Sequence, residues 1–133
     1  MRYLLIFILT VATFAGAKQK KAEYQRVRQL TPENIAMETI DDGTYRGSFM
    51  LANNFGDIQV EVVVKGHKLI SIEIVEDNLP KKEKKAYQLS DIMVAKNSTD
   101  VDAISGATTT SVAIKSAVAD ALSKGVELPT DLE

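Results

Sequence analysis

Apolar and polar residues recur along this chain with two different periods. Over residues 58–75 the period is two. Ile58, Val60, Val62 and Val64 alternate with Gln59, Glu61, Val63 and Lys65, the pattern of a strand with one buried and one polar face. Gly66-His67 supplies a tight turn. The alternation resumes at Ile70, Ile72 and Ile74, set against Ser71, Glu73 and Val75. Residues 44–51 are a third run of β-formers, followed by the loop Asn53-Asn54-Phe55-Gly56-Asp57. Runs joined by short turns predict an antiparallel meander.

After the meander the period lengthens. Ile114, Ala117, Val118, Ala121 and Leu122 recur at the i, i+3, i+4, i+7, i+8 spacing of one helix face, predicting a helix over about 109–124. Gly125 stands where a C′ glycine ends a helix. A second helix is expected over about 81–96, with Ala86, Tyr87, Leu89, Ile92 and Met93 on its apolar side. Lys81, Lys82, Lys84 and Lys85 crowd its start. Cations there oppose the helix dipole, so this helix is expected to begin late. Thr31-Pro32-Glu33 reads as the start of a short helix, closed by the turn Asp41-Asp42-Gly43. The fold class is therefore α+β: a small antiparallel β-meander packed with two main helices, after an N-terminal signal or anchor segment.

That first segment has Arg2, an apolar run over 3–14, and Ala15-Gly16-Ala17 as an Ala-x-Ala cleavage site. These are the parts of a secretory signal peptide. The run is short of the ~20 residues that cross a bilayer comfortably. Lys18, Lys20 and Lys21 follow it directly, against the positive-inside trend. It reads as a cleaved signal or as a retained N-terminal anchor, and either places the domain in the periplasm or another extracytoplasmic space. The expected organisation is 1–17 signal or anchor, 18–41 a linker that can hold a short helix, 42–125 the domain, and 126–133 a tail.

Composition narrows the chemistry. With 133 residues, 45% hydrophobic and 26% charged, there is room for one ordinary globular domain. There is no cysteine and a single histidine, His67. Disulfides, thiolate metal sites, iron–sulfur clusters and covalent haem are excluded. A net charge of −2 offers no broad basic surface for nucleic acid. Asp41, Asp42, Asp57 and Asp77 lack calcium-loop spacing, and no nucleotide-binding glycine motif is present. His67 has no Ser or Cys partner. No metal site and no catalytic residue is expected.

The chemistry-bearing stretch is Asp102-Ala103-Ile104-Ser105-Gly106-Ala107-Thr108-Thr109-Thr110-Ser111. It is a turn that opens into the last helix. The first turn of a helix has unpaired N–H groups and a partial positive charge, and seats phosphates. Gly106 lets the backbone approach a ligand, and Ala107 adds little bulk. The surrounding hydroxyls could hold a phosphate by hydrogen bonds or be esterified by it. An ordinary Ser or Thr N-cap has the same local appearance.

The segment Asp102-x-x-Ser105-Gly106-Ala107-Thr108, then Thr109-Thr110-Ser111 and an Ala/Val-rich helix, resembles the signature of the FMN-binding domain family. That family includes the C subunit of the sodium-pumping NADH:quinone reductase and the G subunit of Rnf-type electron-transport complexes. Asp42-Gly43-Thr44-Tyr45-x-Gly47 and Lys65-Gly66-x-Lys68-Leu69-Ile70 add to the resemblance, which spans about 42–125. The stretch 75–81 departs from it, since relatives often have a His or Thr-rich segment there. The resemblance implies FMN as cofactor, held by a phosphoester to Thr108. It implies Asp102, Ser105, Gly106 and Ala107 as recognition and phosphate-cradling residues, with Thr109, Thr110 and Ser111 beside the phosphate. It also implies a flavin transferase that installs the group from FAD, and redox partners in the membrane or outside the cytoplasm.

The expected role is an exported electron carrier more than a stand-alone enzyme. The alternatives are a module that binds or stores FMN without a covalent bond, and an exported interaction domain with no flavin. Tyr45, Phe49, Phe55 and Tyr87 read as core or loop anchors, one or two of them available to stack on a flavin ring. The lysines at 81–85 read as a solvated helix end, or as a docking patch for an acidic partner.

Overall fold

A computed structural model of the chain describes residues 18–126. The signal or anchor expected over 1–17, and the tail beyond 126, lie outside the described residues. Three strands form one antiparallel sheet in the order β1-β2-β3: β1 (Gly43–Met50), β2 (Asp57–Lys65) and β3 (Lys68–Asp77). The central strand keeps strict alternation, with Ile58, Val60, Val62 and Val64 all buried. At the β2–β3 turn Gly66 and His67 both adopt left-handed φ, +60° and +62°, as a two-residue type I′ turn requires. His67 has a structural place, its Nδ1 lying 3.0 Å from the Ile40 carbonyl.

β3 departs from the expected alternation. Its register against β2 slips twice, between Gln59 and Val60 and between Val63 and Val64. Val75 and Ile70 are thereby left as extra, bulged residues, and each bulge reverses which neighbours point inward. Leu69 and Ile72 are buried, Ile74 is half-buried, and Ile70 is turned out with 52% of its surface exposed.

The last helix, α3 (Thr108–Ser123), covers the inner face of β1 and β2. Ile114, Ala117, Val118, Ala121 and Leu122 are fully buried there, as the spacing predicts. Small residues let helix and strand approach closely. A Cβ on Gly47 of β1 would fall 2.8 Å from Ala121 Cβ and nearer still to the Ala117 carbonyl and Ala121 amide. α3 also satisfies the outer edge of β1: Asp120 accepts from Ser48 N–H at 2.9 Å, and the Lys124 ammonium donates to the Arg46 carbonyl. Gly125 is not a left-handed C′ residue. It is small because the Tyr45 ring lies where its Cβ would be, with Tyr45 Cε2 at 2.8 Å.

The second helix begins late, as the lysines imply. A 3₁₀ turn over Lys84–Tyr87 leads into α2 (Gln88–Lys96), which packs beside β3. Ala86, Leu89 and Met93 are buried, but Ile92 is 41% exposed. In so short a helix the buried stripe is no wider than Leu89, Ser90 and Met93. Asn97 ends it in the left-handed conformation, φ +52°, and its side chain accepts from Leu69 N–H at 2.7 Å.

The N-terminal part of the domain differs most. Residues 18–28, read as a polar linker, form a helix, α1, whereas no helix follows Thr31-Pro32. Only a 3₁₀ turn over Met37–Thr39 appears in that region. α1 is mostly polar yet docked. Val27 is fully buried, and the buried Glu23 carboxylate accepts from both Ala52 N–H and the Arg26 guanidinium. The Arg26 bond holds the Glu23 carboxyl below its usual range, against burial that pushes it up. Among the described residues no helix is long and apolar enough to cross a membrane.

Candidate functional site

The site is built where the chain turns from the loop after α2 into α3. Ala107 N–H donates to the Ile104 carbonyl at 2.9 Å, closing a four-residue turn around Ser105 and Gly106. Gly106 has φ +77°, the value a type II turn demands at its third position and one that favours glycine. Ser111, buried one turn into α3, accepts from Ile104 N–H at 3.0 Å and locks the turn onto the helix.

The helix start has an unusual cap. The N-cap position is Ala107, which has no side-chain acceptor. Thr108 is the first helical residue, so neither Ser105 nor Thr108 is a capping residue. The N–H of Thr110 is satisfied from elsewhere: Glu83 Oε1 accepts from its amide at 3.2 Å and from its hydroxyl at 2.9 Å. The amides of Thr108 and Thr109 have no acceptor among the described residues. The hydroxyls of Ser105, Thr108 and Thr109 are likewise without a partner there.

The candidate residues therefore separate into two groups. Asp102, Ser105 and Gly106 are exposed, and Thr108 and Thr109, at the mouth of the helix, are half-buried. Ala107, Thr110 and Ser111 are buried. The hydroxyls of Thr110 and Ser111 hold Glu83 and Ile104; these two residues brace the turn from inside.

Cations gather at the mouth. A Cβ on Gly106 would meet the Lys85 ammonium at 2.5 Å, so that side chain lies over the open backbone of the turn. A cavity of about 140 Å³ adjoins the same helix start, lined by Tyr24, Arg28, Leu79, Lys81, Glu83, Thr109 and Thr110. Lys81 and Lys85 of the basic run thus face the turn and the cavity. Tyr45, Phe49, Phe55 and Tyr87 are packed against the core. The aromatic at the cavity is Tyr24, which sequence reasoning passed over because α1 has no apolar stripe to mark it as helix. Among the described residues no cluster of His, Cys, Asp or Glu could hold a metal ion.

The FMN-binding domain profile matches residues 55–123, just over half of the chain. The chain belongs to the FMN-binding domain family. The match covers β2, β3, α2 and α3, with the whole turn described above. No curated protein matches the chain. The donor set fits the phosphate end of an FMN: two unengaged amides at a positive helix end, a glycine cradle and the Lys85 ammonium. In this FMN-binding domain the turn and helix start thus bring unengaged amides and free hydroxyls together.

Proposed function

We propose that this FMN-binding domain is an exported electron carrier whose FMN is esterified through its phosphate to Thr108. The observation that carries the reading is the uncapped start of α3. A helix end with an alanine at the cap, two unengaged amides and a free hydroxyl at its first residue suits a phosphate, not a self-contained cap. The family match supports FMN as the ligand. In attachment, the Thr108 oxygen bonds to the flavin-side phosphorus of FAD, the pyrophosphate bond breaks, AMP leaves, and the hydroxyl proton goes to solvent or a base of the transferase. The amides of Thr108 and Thr109 and the Lys85 ammonium would hold the phosphate. When bound, FMN supplies one- and two-electron redox chemistry, and the protein holds and tunes it.

Export is supported by Arg2, the apolar run and Ala15-Gly16-Ala17. A covalent bond suits a cofactor that would otherwise diffuse away outside the cytoplasm. Electrons would pass between partners in or on the membrane, with a flavin transferase acting in maturation. The test is co-expression with a flavin transferase, followed by fluorescence of the denatured band. The wild type should fluoresce and Thr108→Ala should not. A label that persists in Thr108→Ala would refute Thr108 as acceptor, and flavin released on denaturation would make the protein a non-covalent carrier.

A further inference from the structure

Helix α1 lies outside the segment that matches the family, yet it forms one wall of the cavity beside the acceptor turn. Tyr24 and Arg28 come from α1, Leu79 and Lys81 from the segment after β3, and Thr109 and Thr110 from α3. Pockets that enclose a drug-sized ligand measure roughly 300–1,000 Å³. At about 140 Å³ this cavity suits one end of such a ligand, with the remainder lying outside it. One of its lining threonines, Thr109, adjoins Thr108.

The lining has a definite character. Tyr24 is half-buried and Leu79 buried, which gives the cavity flat and apolar surface. Burial, and then the charge of Glu83, push the Tyr24 phenol up, so it stays neutral. Arg28 and Lys81 are the cations of the lining, and its one carboxylate, Glu83, is engaged by Thr110. A ligand end that is planar, has carbonyl acceptors on one edge and becomes electron-rich on reduction matches this set.

We propose that α1 completes the cofactor site, with Tyr24 and Arg28 contacting the isoalloxazine end of the FMN carried on Thr108. The proposal rests on the reading of the preceding subsection. Tyr24 offers a ring face for offset stacking. Arg28 offers N–H donors to the carbonyls of the pyrimidine edge. A fixed cation at that edge favours the reduced flavin and raises its potential. Because Val27 and Glu23 pin α1 to the domain, these contacts are set by the fold and not by the loop at the turn.

The experiment uses the full chain co-expressed with a flavin transferase, as wild type, Arg28→Gln, Arg28→Lys and Tyr24→Leu. Mass analysis reports attachment, a redox titration the midpoint potential, and steady-state emission the flavin fluorescence. Flavin should be attached in all four. Arg28→Gln should lower the potential, Arg28→Lys should restore most of it, and Tyr24→Leu should raise the fluorescence several-fold. Flavin-loaded variants with wild-type potential and fluorescence would overturn the proposal and leave Thr108 as acceptor intact. A wild type that holds FMN without a covalent bond, but whose potential still falls in Arg28→Gln, would support α1 as part of the site while refuting the ester.

Discussion

Gly47 is the point where strand and helix backbones meet, and Gly47→Ala measures how closely. The new methyl would lie 2.8 Å from Ala121 Cβ, where ordinary contact is 3.4–4 Å. Its other near neighbours are the Ala117 carbonyl and the Ala121 amide, backbone atoms that no rotamer change can move. The Ala117 carbonyl would stand only 2.1 Å from the methyl, so α3 must lift from β1 by about an ångström. A gap of that size forfeits a quarter to a half of each dispersion contact along the seam. The contacts at risk lie between α3 and the sheet, where Val60, Val62, Ala117 and Ala121 are all fully buried. The hydrogen bond from Ser48 N–H to Asp120 stretches with them. Overpacking costs typically 1–3 kcal/mol; a backbone clash belongs at the top of that range, about 3 kcal/mol. Since 1 kcal/mol moves Tm by roughly 4–8 °C in a domain of this size, Gly47→Ala should melt about 15 °C below wild type by circular dichroism. A loss within about 0.5 kcal/mol, the range of ordinary surface substitutions, would refute the packing argument.

Glu23→Gln should cost about 1–2 kcal/mol above pH 4.5, since it weakens charge-assisted bonds to Ala52 and Arg26. The Glu23 carboxyl is held below the usual glutamate value of 4.5 by its bond to Arg26, so the wild type loses this advantage as pH falls through the lower folded value; urea melts on either side of 4.5 should show the two proteins converging in acid. Tyr87, whose phenol is pushed up to about 12 by burial and by its bond to Asp77, should give an ultraviolet ionisation step well above 10.0 that is missing in Tyr87→Phe. Its sign is opposite to that of Glu23: the Tyr87 contribution to stability is intact below 10.0 and is lost as pH rises toward 12, and Tyr87→Phe should lessen the alkaline fall. Asp120→Ala uncovers Ser48 N–H on the edge of β1. It should cost about 1 kcal/mol and produce concentration-dependent self-association in sedimentation, as open strand edges do.

The meander was legible because the buried residues of β2 alternate with Gln59, Glu61 and Lys65, with Val63 the one apolar exception, and Gly66-His67 sits between the two runs. Ile70 was misplaced because a bulge adds a residue without any mark in the hydrophobic pattern. α3 announced itself through five apolar positions on one face. α1 did not, because its docking rests on Val27, a half-buried Tyr24 and a buried carboxylate, Glu23. Periodicity does not register such a helix. At the site, the turn and helix start were readable from Ser105-Gly106-Ala107-Thr108. The identity of the cap was not, since Glu83 arrives from 27 residues away. For the same reason the sequence placed Thr110 and Ser111 among the hydroxyls beside the phosphate, and did not show that the fold buries both and engages them with Glu83 and Ile104.

The central claim is that the Thr108 oxygen bears the flavin phosphate. Peptide mass spectrometry of the protein purified from its native host tests it most directly. The peptide spanning Thr108 should have the added mass of one FMN, with fragment ions placing it on Thr108. A flavin-loaded sample in which that threonine is unmodified, or in which the added mass sits on Thr109 or Thr110, would contradict the claim.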